Sequence, residues 1–451
     1  MKIIFLGGTE TVTGSKFLIE TKTTRILVDC GLFQGYKWLR ERNRQPLPLD
    51  IDDLDAVVLT HAHLDHSGYV PVLYKKGYRG PVFTHHATRD LCKILLADSG
   101  HLQEEDARFY GKHKLSRHEN PEPLYDRATA EASMQLFQGI EFEEQVQVGD
   151  IRFHLQPAGH ILGAGSVIIE AEGKRIGFSG DVGRPDDILN YPPKPLPELD
   201  LLMLESTYGD RRHSQDDPYE QLADMVVRTA KRGGVLLIPS FAVGRAQVLQ
   251  HMLLSMMQEG RIPPIPIYLD SPMAINVSEL YCEHAALHKL TVEQANHMCQ
   301  AIHYTREVDE SKALDELTYP HIIIAGSGMA TGGRILHHFK RHLSDPKTSV
   351  LFAGYQSGGT RGAKMVGGAD SVKLHGEWIQ IRASVESMDA LSGHADYVDI
   401  EQWLKASELK AGTQIYLIHG EPEALEGMRD HLEQTTNFRV DIAGYMRILH
   451  V

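Results

Sequence analysis

Cysteine is scarce in this sequence, and the four residues present, Cys30, Cys92, Cys282 and Cys299, form no Cys-x-x-Cys pair. They are expected as small buried side chains in a protein of a reducing cytoplasm. Long apolar runs are missing as well. No stretch approaches the roughly eighteen apolar residues that a membrane span requires, so no membrane association is expected. The opening Met1-Lys2-Ile3-Ile4-Phe5-Leu6-Gly7-Gly8 reads as a short strand and a glycine turn, too brief for a secretory signal core. Positive charge is also in deficit: 46 Lys and Arg face 60 Asp and Glu, for a net charge of −14. That total argues against a nucleic-acid partner, but the deficit is uneven. Between Gly209 and Glu386, 18 basic residues stand against 19 acidic ones. The excess therefore lies in the flanking segments, where part of it is carboxylate that bound dications would offset.

What is abundant is ordinary globular material, 42% hydrophobic and 24% charged over 451 residues. The length suits about three domains. The chain is organised around Thr60-His61-Ala62-His63-Leu64-Asp65-His66-Ser67-Gly68, directly after the apolar run Ala56-Val57-Val58-Leu59. A strand followed by a short loop is a rigid mount for ligands. Imidazole nitrogens and carboxylate oxygens are what zinc accepts in open, catalytic sites. His61 and His63 point one way, Asp65 and His66 another, so the spacing suggests two adjacent ions. The plainer reading is a polar loop in a chain with 25 histidines; the strand context and the spacing favour metal.

Short strands precede this loop, and the last ends at Val28-Asp29-Cys30-Gly31. Asp29 is either a turn-forming residue before glycine or the acceptor for the second N–H of a ligand histidine. From Ala87 to about Phe137 the pattern is helical. His85, His86, His101, His113 and His118 there lack ligand spacing and are expected to be solvated or structural. Further strands follow over 151–156, 166–171, 175–179 and 201–205. Two of their exits, Pro157-Ala158-Gly159-His160 and Ser179-Gly180-Asp181, would be ordinary turns in isolation. After His61–His66 they supply what a two-ion site lacks: another imidazole, and a carboxylate able to bridge.

Beyond Gly209 strands and helices alternate, which predicts a largely parallel α/β layer inserted in the first domain. Three glycine-rich strand exits, around Ser240–Arg245, Ser327-Gly328 to Arg334, and Gln356–Gly362, place freed amides and arginines at one sheet edge, a natural phosphate cradle. Ser240, Arg245, Ser327, Gly328 and Arg334 are the expected substrate contacts; the alternative is three tight turns with surface arginines. After Glu386 the first domain's chemistry resumes with Ser392-Gly393-His394 and, behind the strand 414–418, with His419-Gly420-Glu421.

His61-x-His63-x-Asp65-His66 resembles the hallmark motif of the metallo-β-lactamase superfamily. Glu205, His394 and His419, in that order, resemble motifs A, B and C of its β-CASP nucleases, which carry a cassette inside the metallo-β-lactamase domain. The similarity spans essentially the whole chain. It implies an α/β architecture: an αββα sandwich over 1–208 and 387–451, with an inserted parallel-sheet β-CASP domain over 209–386. It implies two Zn2+ per chain, one held by His61, His63 and His160, the other by Asp65, His66 and His419, with Asp181 bridging. Oxygen- and nitrogen-rich ligation would also accept Mn2+ or Fe2+. Asp65 would orient the attacking water or accept its proton, and His394, held by Glu205, would protonate the leaving 3′-oxygen. In this group a histidine at motif C accompanies RNA, so the expected substrate is single-stranded RNA, admitted to a narrow groove and cut to 5′-phosphate and 3′-hydroxyl ends. The resemblance favours the second role for Asp29. Because the sequence ends soon after motif C, the extra domains of longer relatives, and sequence-specific targeting with them, are not expected. A homodimer is compatible with the sequence, although no heptad or apolar patch signals one. Two rival functions are hydrolysis of a small ester, thioester or lactam on the same metals, and a catalytically weak RNA-binding subunit.

Overall fold

Apolar residues two apart along each strand of the first segment produce two sheets packed face to face. The computed structural model describes residues 1–112, 122–354, 356 and 358–451. It divides into two units, Met1–Arg212 with His394–Val451, and His213–Gly393. The boundaries thus fall a few residues later than 208 and 386. The second shift has a clear cause: Ser384–Ser387 pairs with Ser349–Phe352 and belongs to the inserted sheet.

In the first unit one seven-stranded sheet runs, edge to edge, Ile448–His450, Lys2–Gly7, Lys16–Glu20, Arg25–Val28, Ala56–Val58, Val82–His85 and Phe137–Ile140. The other runs Arg439–Ile442, Gln414–Ile418, Leu201–Glu205, Lys174–Phe178, Gly165–Ala171, Ile151–Pro157 and Val146–Val148. Each sheet is half antiparallel and half parallel. Their inner faces interlock through Phe5, Phe17, Val58 and Phe83 from the first sheet and Phe153, Ile169, Phe178 and Met203 from the second. Phe17 lies 5.5 Å from Phe178 and Phe83 lies 5.5 Å from Phe153, ring centre to ring centre. On Leu201–Glu205, Leu201 and Met203 enter this core while Leu202 and Leu204 meet the outer helices. Both faces are covered, so the run shows no polar alternation. Helices Tyr397–Ala406 and Pro422–Thr435 cover that outer face through Ile400, Trp403, Leu425 and Met428. The helix His86–Lys112 belongs to the other sheet's outer layer. His85 is buried against Phe142 with stacked rings 4.2 Å apart. His113, His118 and Ser357 lie outside the described residues.

The second unit contains the expected parallel sheet. Its strands, in order, are His303–Tyr304, Ile267–Asp270, His321–Ala325, Val235–Pro239, Ser349–Phe352 and Ser384–Ser387. All five pairings are parallel. The expectation for the cysteines needs correction. Cys30 and Cys92 are buried thiols, but Cys282 and Cys299 form a disulfide between helices Pro272–Glu283 and Val292–Ala301. Helix packing, which no local spacing announces, brings them together. Among the described residues no helix is long and apolar enough to cross a membrane.

A buried ionic network organises the carboxyl edge of this sheet. His338 is fully buried and donates from Nε2 to Asp270 Oδ2 at 2.8 Å and from Nδ1 to Asp315 Oδ1 at 2.7 Å. Both ring nitrogens face carboxylates, so the ring is an imidazolium. Burial alone would lower its pKa; the two carboxylates outweigh it and push it up to about 9, from 6.5. A histidine raised in the folded state stabilises it fully below pH 6.5, and the contribution, about 3 kcal/mol at most, is lost as pH rises through about 9. Melting curves across that window should fall more steeply for the native protein than for His338→Gln. Equal slopes would remove the imidazolium from this role.

Candidate functional site

The candidate ligands all leave the carboxyl ends of first-unit strands at one edge of the sandwich. His61 to His66 follow Ala56–Val58, His160 follows Ile151–Pro157, Asp181 follows Lys174–Phe178, and His419 follows Gln414–Ile418. Close backbone approaches lock these loops together. A Cβ on Gly31 would stand 1.6 Å from the Asp65 carbonyl oxygen, and one on Gly183 would stand 2.0 Å from that of Gly159. Only glycine permits the His160 and Asp181 loops to touch, or the loop after Asp29 to lie on the histidine loop.

Two sets of donor atoms result. In the first, His61 Nε2 and His160 Nε2 each lie 3.2 Å from His63 Nδ1. Asp181 Oδ2 is 3.3 Å from His61 Nε2 and 3.6 Å from His160 Nε2. In the second, His66 Nε2 is 3.1 Å from His419 Nε2, and Asp65 Oδ2 is 3.4 Å from His419 Nε2. Asp181 Oδ1 reaches this set, 3.2 Å from His66 Nε2. The seven residues expected to bind metal are therefore brought together, and Asp181 offers one oxygen to each set.

Their electrostatics fit a cation. Burial, helped by the neighbouring imidazole His61, lowers the His63 pKa to about 3; burial and His394 hold His160 well below its usual value. Both rings are neutral, with lone pairs available as ligands. Burial opposes charge on Asp65 and Asp181 too, yet the surrounding histidines keep both below the usual carboxylate range. His66 goes the other way: Asp181, Asp29 and Asp65 outweigh its burial and raise its pKa well above normal. Three carboxylates thus call for positive charge at this point. Asp181 Oδ1, though buried, makes no hydrogen bond of acceptable geometry. Facing imidazole nitrogens and an orphaned carboxylate oxygen are what a bound metal would satisfy.

Around the donors stands a second layer. Asp29, at φ +57°, accepts from His66 Nδ1 at 2.7 Å and from Thr60 N at 2.8 Å. Thr60 Oγ1 lies 3.0 Å from His61 Nδ1, and Thr207 Oγ1 lies 3.2 Å from His419 Nδ1. Sequence reading gave neither threonine a role; Thr60 adjoins His61 and Thr207 stands two residues after Glu205, and that proximity was the available signal. Replacing Asp29 with alanine should weaken metal binding about 10- to 100-fold, measured by chelator competition, because His66 loses the acceptor that fixes its tautomer. Unchanged affinity would assign Asp29 to the turn alone.

Glu205 and His394 form a separate pair. Glu205 Oε1 accepts from Val182 N at 2.7 Å and faces His394 Nδ1 at 3.2 Å; Oε2 accepts from Thr207 Oγ1 at 2.6 Å. Both Glu205 oxygens are thereby used within the protein, although its donor atoms lie within 4.8 Å of those of Asp181 and His394. Burial opposes protonation of His394, but Glu205, with Asp181 and Asp65 behind it, pushes its pKa up to about 9. Nearby dications would pull it back towards neutrality. The pair can hold and deliver a proton.

The expected substrate contacts lie in the second unit. The loops after Val235–Pro239, His321–Ala325 and Ser349–Phe352 do meet: Gln356 Nε2 donates to Gly328 O at 3.1 Å, and a Cβ on Gly328 would stand 2.7 Å from the Phe241 ring. Ser240 donates to the adjoining Phe241 carbonyl, and Arg245 opens helix Arg245–Gln258. Ser327 Oγ accepts from Thr331 N at 3.0 Å, inside its own loop. Arg334 differs most from expectation. It donates to Asp270 Oδ1 at 2.6 Å, Thr305 O at 3.0 Å and Arg306 O at 2.6 Å. Buried Asp270 needs that countercharge, so the guanidinium serves the fold and is not presented to a phosphate.

The family model described as the metallo-beta-lactamase superfamily matches residues 12–228, the Beta-Casp domain matches 246–365, and the Zn-dependent metallo-hydrolase RNA specificity domain matches 378–443. Ribonuclease TTHA0252 of Thermus thermophilus is 37% identical over 438 residues, covering 94% of each chain. Transcription termination factor FttA of Thermococcus kodakarensis is 31% identical, over 93% of this chain and 67% of its own. A crystal structure of a protein of unknown function from Enterococcus faecalis shares the fold at a TM-score of 0.55 and 14% identity, covering 100% of this chain and 99% of that one.

Proposed function

The chain belongs to the β-CASP group of the metallo-β-lactamase superfamily and is a metal-dependent ribonuclease; from that premise we propose that it hydrolyses single-stranded RNA with two zinc ions. The observation that carries this reading is the pair of donor sets sharing Asp181, beside a carboxylate-held histidine outside both. Donor spacings of 3.1–3.6 Å match the edge of a tetrahedron with bonds of about 2.0–2.1 Å, roughly 3.3 Å, the zinc geometry. His61, His63 and His160 would hold one ion, Asp65, His66 and His419 the other, and Asp181 both. Bound there, the pair supplies an acidified water and neutralises phosphate charge.

The chain's own groups do the rest. Asp65 orients the attacking water and takes its proton. His394, its Nδ1 turned to Glu205, gives its other ring proton to the 3′-oxygen as the phosphorus–oxygen bond breaks. Water attack leaves a 5′-phosphate and a 3′-hydroxyl. Arg245, Ser240 and the amides at Gly328 are the proposed phosphate contacts, without Arg334. Metal analysis followed by end mapping on a labelled single-stranded RNA tests the proposal. About two equivalents of zinc and 5′-phosphate ends are expected. A protein without stoichiometric metal, cyclic phosphate ends, or turnover of a lactam or thioester in place of RNA would refute it.

A further inference from the structure

The first unit carries an exposed aromatic and basic surface that no step above employs. In Tyr36-Lys37-Trp38-Leu39-Arg40-Glu41-Arg42-Asn43-Arg44, four basic residues stand against one acid, within a chain of net charge −14. The helix Lys37–Arg42 buries only Leu39. Tyr36 is 58% and Trp38 54% exposed. The Arg42 guanidinium is boxed by aromatic rings, 4.0 Å from the centre of Tyr445, 4.9 Å from Trp38 and 5.4 Å from Phe33. That stacking fixes Trp38 on one side and leaves it exposed on the other.

The surface is tied to the candidate metal site within the same unit. Asn43 Oδ1 accepts from Phe33 N at 2.9 Å, and its Nδ2 donates to Phe33 O at 2.7 Å. Next along, Leu32 N donates to Leu64 O at 2.8 Å and Cys30 N to His66 O at 2.7 Å. Two short connections thus join the helix to the histidine loop.

Resting on the ribonuclease reading, we infer that this surface holds a single-stranded flank of the RNA outside the reacting phosphate, with a base stacked on Trp38 and Lys37 and Arg40 on the backbone. Aromatic faces accept any base, and adjacent cations track phosphates, so the combination suits unpaired RNA of any sequence. Met446 and Ile448, past Tyr445, are also exposed and would suit a protein partner. A two-fold contact between copies would, however, set these cations against one another.

Kinetics on an unstructured RNA of about 20 nucleotides test the inference. Trp38→Ala should raise KM about tenfold and Trp38→Phe much less, with kcat unchanged. Arg40→Ala should lower the slope of log KM against log salt by about 0.7, the share of one phosphate contact. Turnover of bis(p-nitrophenyl) phosphate, which has no flank, should be unaffected in all three, and so confirms that each variant is folded. Unchanged KM and salt slope with intact ester turnover would overturn the inference while leaving the ribonuclease reading standing. A native dimer that Trp38→Ala dissociates would overturn it in favour of self-association. If the native protein cleaves the ester but no RNA, the ribonuclease reading fails and the flank site with it.

Discussion

Replacing His394 with alanine should cut RNA cleavage about 10²- to 10⁴-fold while metal content stays at the native level. His394 stands outside both donor sets, its Nδ1 facing Glu205 at 3.2 Å and its ring 4.4 Å from that of His160. Alanine therefore removes a proton donor without removing a ligand. The leaving group gives a sharper test. A 3′-alkoxide needs protonation as it departs, whereas p-nitrophenolate does not. Bis(p-nitrophenyl) phosphate should consequently lose far less rate than RNA in the variant. Equal losses on both substrates, or loss of metal, would show that His394 binds metal or merely supports the site.

Replacing Asp181 with asparagine should have the opposite signature, with metal lost first and cleavage lost with it. Its two oxygens face different donor sets, at 3.3 Å from His61 Nε2 and 3.2 Å from His66 Nε2. Asparagine keeps the shape but gives up the charge and one of the two acceptors. Bound metal should fall to about one equivalent or less, and cleavage by about 10³-fold or more, because several kcal/mol of charge stabilisation vanish together. The rise in Tm that zinc gives the native protein should shrink in parallel, since a ligand stabilises only the state it binds. A variant with full metal content and near-native cleavage would exclude Asp181 as the shared ligand.

Legibility differed by feature. His61 to His66 share six positions on one strand exit, so their common purpose is visible locally. The parallel sheet of the second unit was visible too, because buried runs such as Val235–Pro239 and His321–Ala325 alternate with amphipathic helices. His160, Asp181, His394 and His419 look like ordinary turn residues one by one; the first two gained roles by following the histidine loop, the last two from the family pattern. Arg334 misled: it follows glycines just as a phosphate contact would, yet Asp270, 64 positions earlier, takes its guanidinium. Nothing near Cys282 announces Cys299 as its neighbour, and Tyr36–Arg44 showed its exposure only once folded.

Sequence by itself determined the chemical inventory, the periodicity that makes two sheets and a parallel layer, and the glycines that let the strand exits touch. Tertiary structure decided which residues share a partner. Lys174–Phe178, Leu201–Glu205 and Gln414–Ile418 lie parallel and adjacent, so Asp181, Glu205 and His419 leave the same sheet edge although the last is more than 200 positions from the others. Side-chain chemistry is local, but strand pairing is not, and an ion can be held only where pairing brings distant donors within a few ångströms.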